Sequence, residues 1–193
     1  MFRNRLGFTL IELLVVITLI GISLTLAVPS WEQVSQKRRV TNATEQVAAF
    51  LSVAQSEAQK RNQPVSLSYN HSGDQNWCIG IVLGEGACDC TETNPGSAQY
   101  CAIDGAPSLV KAGTFQFLNL IEATDTQPAG GDSPITFDPI RGILQPAGDK
   151  LQFTFESSGG YYQLRLVVSP TGLLTICNSG DDQVVGGYAQ CVS

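Results

Sequence analysis

From Phe8 to Val28 the chain is almost wholly apolar, and the single charge in that run is Glu12. These 21 residues, at ~1.5 Å per helical residue, reach ~31 Å, the thickness of a bilayer's hydrocarbon core. Beyond them the pattern turns amphipathic. Val40, Ala43, Val47, Phe50, Leu51, Ala54 and Ala58 recur at spacings of three and four, with Glu32, Lys37, Arg38, Glu45, Glu57 and Lys60 free to take the opposite face. Pro29 stands where the apolar run ends; it removes one backbone hydrogen bond and is predicted to kink the helix there. Asn62 and Pro64 supply the stop. The prediction is one long helix: a transmembrane half over 8–29 and an amphipathic half over 30–62, whose Val40 to Ala58 stripe packs a core.

After Pro64 the period falls to two. Val65, Leu67 and Tyr69 alternate, as do Trp77, Ile79, Ile81 and Leu83, then Leu151, Phe153 and Phe155, then Tyr162, Leu164, Leu166 and Val168. Such runs are antiparallel strands with one buried face, and turn residues at 70–76, 157–160 and 170–172 join them as hairpins. A long helix followed by a strand meander over 63–193 is an α+β fold. Two stretches, 84–107 and 122–134, read as long irregular loops, either contact surfaces or plain connections.

Charge sets the topology. Residues 1–7 form a short leader with Arg3 and Arg5, which the positive-inside rule holds in the cytoplasm, leaving the C-terminal domain outside. The apolar run ends without a small-residue cleavage site, unlike an ordinary signal peptide. The formal net charge is −6; without the leader, 9 basic residues face 17 acidic ones, a charge of −8. Such a surface repels phosphate backbones, so nucleic-acid binding is not expected. All six cysteines, Cys78, Cys88, Cys90, Cys101, Cys177 and Cys191, lie beyond the apolar run. An even number in an exported domain predicts disulfides, with Cys177–Cys191 favoured and the pairing of the other four left open. The one histidine, His71, is distant from most of them, which disfavours a metal set.

Glu12 is the anomaly, because a carboxylate near the start of a membrane helix is costly unless it stays wet at the interface or meets a cation. Cleavage after Gly7 would create such a cation, the α-amino group of Phe8. The stretch Gly7-Phe8-Thr9-Leu10-Ile11-Glu12-Leu13-Leu14 resembles the processing signal of type IV pilins and type II secretion pseudopilins. That resemblance implies cleavage between Gly7 and Phe8 and N-methylation of Phe8 by a prepilin peptidase. It also implies that Glu12 neutralises the Phe8 amine of a neighbouring subunit. A second, looser resemblance covers most of the domain. Leu51-Ser52-Val53-Ala54-Gln55-Ser56-Glu57-Ala58, the step from Trp77 to Gly80 and Phe137-Asp138-Pro139-Ile140-Arg141-Gly142 resemble the GspH/FimT family of minor pilins and pseudopilins. DNA-binding members of that group carry Gly-Arg-x-Arg in the C-terminal strand region. The matching stretch here, Gly172-Leu173-Leu174-Thr175, has neither arginine, so phosphate contacts are missing.

No catalytic constellation is present: the lone His71 falls in a turn region, and no nucleophile and base are paired in the sequence. Asp89, Glu92 and Asp104, or Asp181 and Asp182, match no regular calcium loop. The sequence predicts a non-enzymatic assembly subunit without metal or cofactor, and three readings of its role follow. It is a minor type IV pilin at the tip or priming complex of a pilus, an H-type minor pseudopilin of a type II secretion system, or, least favoured, a DNA-binding competence pilin. Its partners are other pilins or pseudopilins, the prepilin peptidase and inner-membrane lipid. Its expected place is the inner membrane as a single-pass protein with a periplasmic C-terminal domain, then an extracellular fibre.

Overall fold

The computed structural model describes residues 8–72, 75–115, 118–125, 135–148, 150–180 and 183–192; side chains at 25–30 are not described. The leader with Gly7, Asp181 and Asp182, and most of the predicted 122–134 loop lie outside the described residues. Helix α1 spans Leu10–Arg61 and contains Pro29. The chain divides into two compact units, 1–35 and 36–193.

The described part of the first unit is the start of α1, in which Leu10, Ile11, Leu13, Ile17 and Ile20 are exposed. The hydroxyls within it bond back along the helix, Thr18 Oγ1 to Val15 O at 2.8 Å and Ser23 Oγ to Leu19 O at 2.9 Å. Backbone and hydroxyl groups are thus satisfied internally, as an apolar medium demands. Among the described residues no helix is long and apolar enough to cross a membrane. Side chains there are described only to Leu24, whereas the apolar run of the sequence continues to Val28.

In the second unit, α1 ends where Asn62 takes φ 50°. Gln63 N donates to Ala58 O at 3.2 Å, a Schellman-type closure, and Pro64 then forbids further helix. The chain continues as β1 (Val65–His71), β2 (Trp77–Leu83), β3 (Ala102–Ile103), β4 (Ala106–Pro107), β5 (Leu109–Lys111), β6 (Leu118–Asp125), β7 (Ile135–Phe137), β8 (Leu144–Gln145), β9 (Leu151–Ser157), β10 (Gln163–Val168) and β11 (Leu174–Asn178). The arrangement is α+β, as the sequence predicts, but the strands are not one meander. One sheet has the order β5-β2-β1-β7-β8 and a second β11-β10-β9-β6, both antiparallel, with β3-β4 as a small hairpin. The predicted loop at 122–134 begins later than expected, because β6 runs to Asp125. His71 closes β1 opposite Trp77 rather than lying in the turn.

One core joins the three layers. Val40, Ala43, Val47, Leu51, Ala54 and Ala58 on the helix are fully buried, as are Leu151, Phe153, Phe155, Leu164, Leu166 and Val168 on β9 and β10. Aromatic rings knit the sheets: Tyr69 meets Phe153 edge-on at 5.6 Å and Trp77 meets Phe155 at 5.4 Å, geometries that add to the burial itself. At ~25 cal/mol per Å² of apolar surface, these large side chains supply most of the domain's stability.

Candidate assembly site

Thr9 and Glu12 stand three residues apart at the start of α1. The Thr9 hydroxyl accepts a hydrogen bond from Glu12 N at 3.3 Å, and Thr9 O accepts one from Leu13 N at 3.2 Å, so Thr9 caps the helix. The pattern Thr-x-x-Glu is that of a capping box, in which the acid would reach back to the cap residue's N–H. Here the Glu12 carboxylate makes no described bond of that kind, and it stays exposed. Phe8 is 84% exposed. The motif therefore presents a carboxylate without a partner among the described residues and an aromatic residue one helical turn apart, with the cap fulfilled by Thr9. Gly7 lies outside the described residues.

The cysteines organise two surfaces of the folded unit. Cys78 is bonded to Cys90, Cys88 to Cys101 and Cys177 to Cys191. The first two bridges interleave along the chain and, with Val82 and Leu109, make a small second core on the outer face of β2. Gly80 is required there, because a Cβ would stand 2.3 Å from Cys101 Sγ. The segment 84–107 is accordingly a stapled lid on the first sheet rather than a free loop. Three of its acidic residues, Asp89, Glu92 and Asp104, are engaged. Asp89 accepts from the backbone and hydroxyl of Thr91 at 2.8 and 2.6 Å, and Glu92 accepts from the N–H groups of Asn94 and Thr93. These bonds favour the ionised form and hold both carboxyls below their ordinary range. Asp104 at the β3–β4 turn takes both guanidinium nitrogens of Arg61, at 2.9 and 2.6 Å, while Arg61 Nε reaches Glu57 at 2.8 Å. The end of α1 is thereby tied to the lid.

Two further devices fix the other end of the sheets. Gln55 Nε2 donates to Gly142 O at 2.6 Å and Gly172 O at 3.2 Å, joining the helix to the turn before β8 and the turn between β10 and β11. Gly172 has φ 79°, and a Cβ on it would lie 2.1 Å from Gly142 O. Asn178, buried on β11, donates to Val185 O and Tyr188 O and accepts from Val185 N. It shapes the tail that Cys177–Cys191 closes. Tyr188 in turn donates to Glu45; burial first, then that carboxylate, pushes the phenol up to about 12. Sequence reasoning passed over Gln55 and Asn178, since neither a lone Gln on a helix nor an Asn at a strand end announces its partners. Leu173, standing where an arginine would begin a phosphate grip, is 65% exposed.

Comparisons with known proteins bear on both parts of the chain. Residues 43–172 match the family described as type II transport protein GspH, and residues 2–28 match the prokaryotic N-terminal methylation motif. A fimbrial protein of Pseudomonas aeruginosa is 37% identical over 54 residues, 28% of this chain and 35% of that protein. An uncharacterized protein of Haemophilus influenzae is 33% identical over 86 residues, 44% of this chain and 51% of its own length. The chain thus spans from about a third to half of the curated relatives it matches. The crystal structure of the type IV minor pilin FimU of Pseudomonas aeruginosa superposes with a TM-score of 0.45 at 18% identity, covering 76% of this chain and 92% of that one.

Proposed function

Because the chain belongs to the GspH family and carries the N-terminal methylation motif ahead of that domain, we propose that it is a minor type IV pilin, an assembly subunit rather than an enzyme. On this reading a prepilin peptidase cuts between Gly7 and Phe8 and methylates the new amine, residues 8–29 anchor the subunit in the inner membrane with Pro29 as a bend, and the folded unit faces the periplasm. Assembly then moves it into a pilus. The observation that carries the reading is Glu12. Its carboxylate is exposed and makes no described bond, so it is available to the Phe8 amine of a neighbouring subunit. In lipid that pairing would remove a cost of a few kcal/mol from each group.

The family's description favours a second reading, a minor pseudopilin of a type II secretion system. Three disulfides in one small domain suit a surface that leaves the cell, which is our reason for placing the pilus first. DNA binding finds no support in the sequence Gly172-Leu173-Leu174-Thr175 or in the net charge. The test has two arms. Mass spectrometry of protein from its native membrane is expected to find a chain beginning at methylated Phe8; a chain that retains residues 1–7 ends the proposal. Deleting the gene is expected to abolish twitching and leave secretion intact, and a loss of secretion alone transfers the assignment to the pseudopilus.

A further inference from the structure

The folded unit begins at Gln36, and three cations follow at once, Lys37, Arg38 and Arg39. Lys37 is held on the unit, with its Nζ 5.0 Å over the ring of Tyr162, a cation–π contact. The turn between β9 and β10 packs beside it. A Cβ on Gly159 would stand 2.7 Å from the Tyr161 ring and 3.3 Å from Gln36 Nε2, so the turn and the start of the unit's helix form one continuous surface. On it Tyr161 is 62% exposed, and Arg38 and Arg39 are exposed. Arg38 has no ion-pair or hydrogen-bond partner among the described residues. Glu156, beside the turn, accepts from Gln163 Nε2 at 2.6 Å. Charge is divided along the chain. Residues 37–39 carry +3, whereas 40–193 hold 6 basic against 15 acidic residues, a charge of −9.

We propose that Lys37, Arg38, Arg39 and Tyr161 form a collar that binds anionic phospholipid headgroups at the surface of the membrane holding the apolar run. The inference rests on the anchor reading above and names the lipid chemistry at its outer edge. Arg38 follows Val28 by ten residues, ~15 Å as helix, of which the headgroup layer takes ~5–7 Å. Side chains on a helix tilt toward its N-terminus, here toward the apolar run, and Lys and Arg extend that reach while keeping their charge in the polar layer. The cations thus come within a Debye length, ~8–10 Å, of the lipid phosphates. Screening over the same length keeps the acidic remainder, dispersed over the rest of the unit, from cancelling so compact a run. Tyrosine and tryptophan collect at such interfaces, and Trp31, just ahead of the collar in the chain, is 74% exposed. A nucleic acid long enough to bind tightly would run on past three cations and meet the acidic remainder. The rival occupant is an acidic face of another subunit, which is met in the fibre, whereas lipid lies at this height as soon as the anchor inserts.

The experiment reconstitutes the full-length chain in nanodiscs of phosphatidylcholine with increasing phosphatidylglycerol, one lipid or the other carrying a photoactivatable group on its headgroup. Irradiation and peptide mass spectrometry are expected to place phosphatidylglycerol adducts on 36–39 and 159–162. Phosphatidylcholine should leave those peptides at background, and high salt should remove the phosphatidylglycerol adducts. Arg38→Gln, which breaks no described contact of the fold, should raise the phosphatidylglycerol fraction for half-maximal labelling about fivefold, while Arg38→Lys leaves it unchanged. The triple variant Lys37→Gln, Arg38→Gln and Arg39→Gln should lose the labelling. Equal labelling by both lipids, labelling that resists salt, or an unchanged half-maximum in Arg38→Gln and the triple variant overturns the proposal. A chain that inserts but takes no adduct at the collar overturns it too, and leaves those cations to another subunit's carboxylates. A chain that inserts in nanodiscs of neither composition fails the anchor reading, and the collar with it.

Discussion

Single side chains carry two separable jobs, and Glu12 and Asn178 stand for them. Glu12 does nothing for the fold: Thr9 caps the helix without it. Glu12→Ala is therefore expected to be cut at Gly7 and to accumulate normally, yet to be absent from sheared fibres, which immunoblotting of cell and fibre fractions measures. Normal incorporation would reject the charge-pairing role. Asn178 is the reverse case, with three hydrogen bonds spent on its own tail. Asn178→Ala strands the buried N–H of Val185 and two carbonyls, and should lower the unfolding free energy of the oxidised folded unit by about 2–4 kcal/mol in urea titration. Glu12 was legible in the sequence because a charge in an apolar run is conspicuous. Asn178 was not, because its partners lie at Val185 and Tyr188, and only the loop closed by Cys177–Cys191 brings them back.

At the scale of elements, alternation identified β1, β2, β9 and β10, whose registers are regular. It missed β6 for a physical reason. A register shift between Leu120 and Glu122 lets Leu118 and Leu120 point inward, skips a residue, and sends Ala123 inward next. That bulge breaks the period of two halfway along. The helix end shows how an element is tied to its neighbours. Hydrogen bonds from Arg61 lower the carboxyl of Asp104, and those from Arg61 and then Lys60 lower that of Glu57, from ordinary values of 3.8 and 4.5. Both groups titrate lower when folded than when unfolded. Their contribution is thus complete above those ordinary values and is lost as pH falls through the depressed ones. Acid titration of the folded unit should therefore loosen the β3–β4 lid below about pH 4. Arg61→Ala should flatten that dependence, which amide exchange at Ile103 to Gly105 can follow. The turn clamp makes a different demand. Gly172→Ala must hold φ 79° and push against Gly142 O, so the left-handed backbone alone should cost about 1–3 kcal/mol. Gln55→Ala should cost about 1 kcal/mol for each lost bond.

The whole molecule separates an element that can be read from sequence from a surface that cannot. The apolar run, the amphipathic stripe and the N-terminal motif are local in the chain, so the long helix, its buried stripe and the family were open to inspection. The division into two sheets was not. It depends on β7 returning to pair with β1 across some seventy residues, and no local period encodes that. The covalent map obeys the same distinction. Three bridges of sequence separation 12, 13 and 14 each close a loop long enough to stabilise by about 3 kcal/mol through the unfolded chain. Their consequences still differ with what they hold. Removing Cys177 and Cys191 together as Cys177→Ser and Cys191→Ser frees a tail whose anchors, Asn178 and the bond from Tyr188 to Glu45, lie against the main core. The loss should therefore appear as global destabilisation, a lower midpoint with one cooperative transition. Removing Cys88 and Cys101 instead opens the second small core on the outer face of β2, which shares no buried residue with the main one. That variant should show faster amide exchange confined to 84–107 while the strands of the second sheet stay protected. Uniform loss of protection across both sheets would mean that the lid and the main core unfold as one.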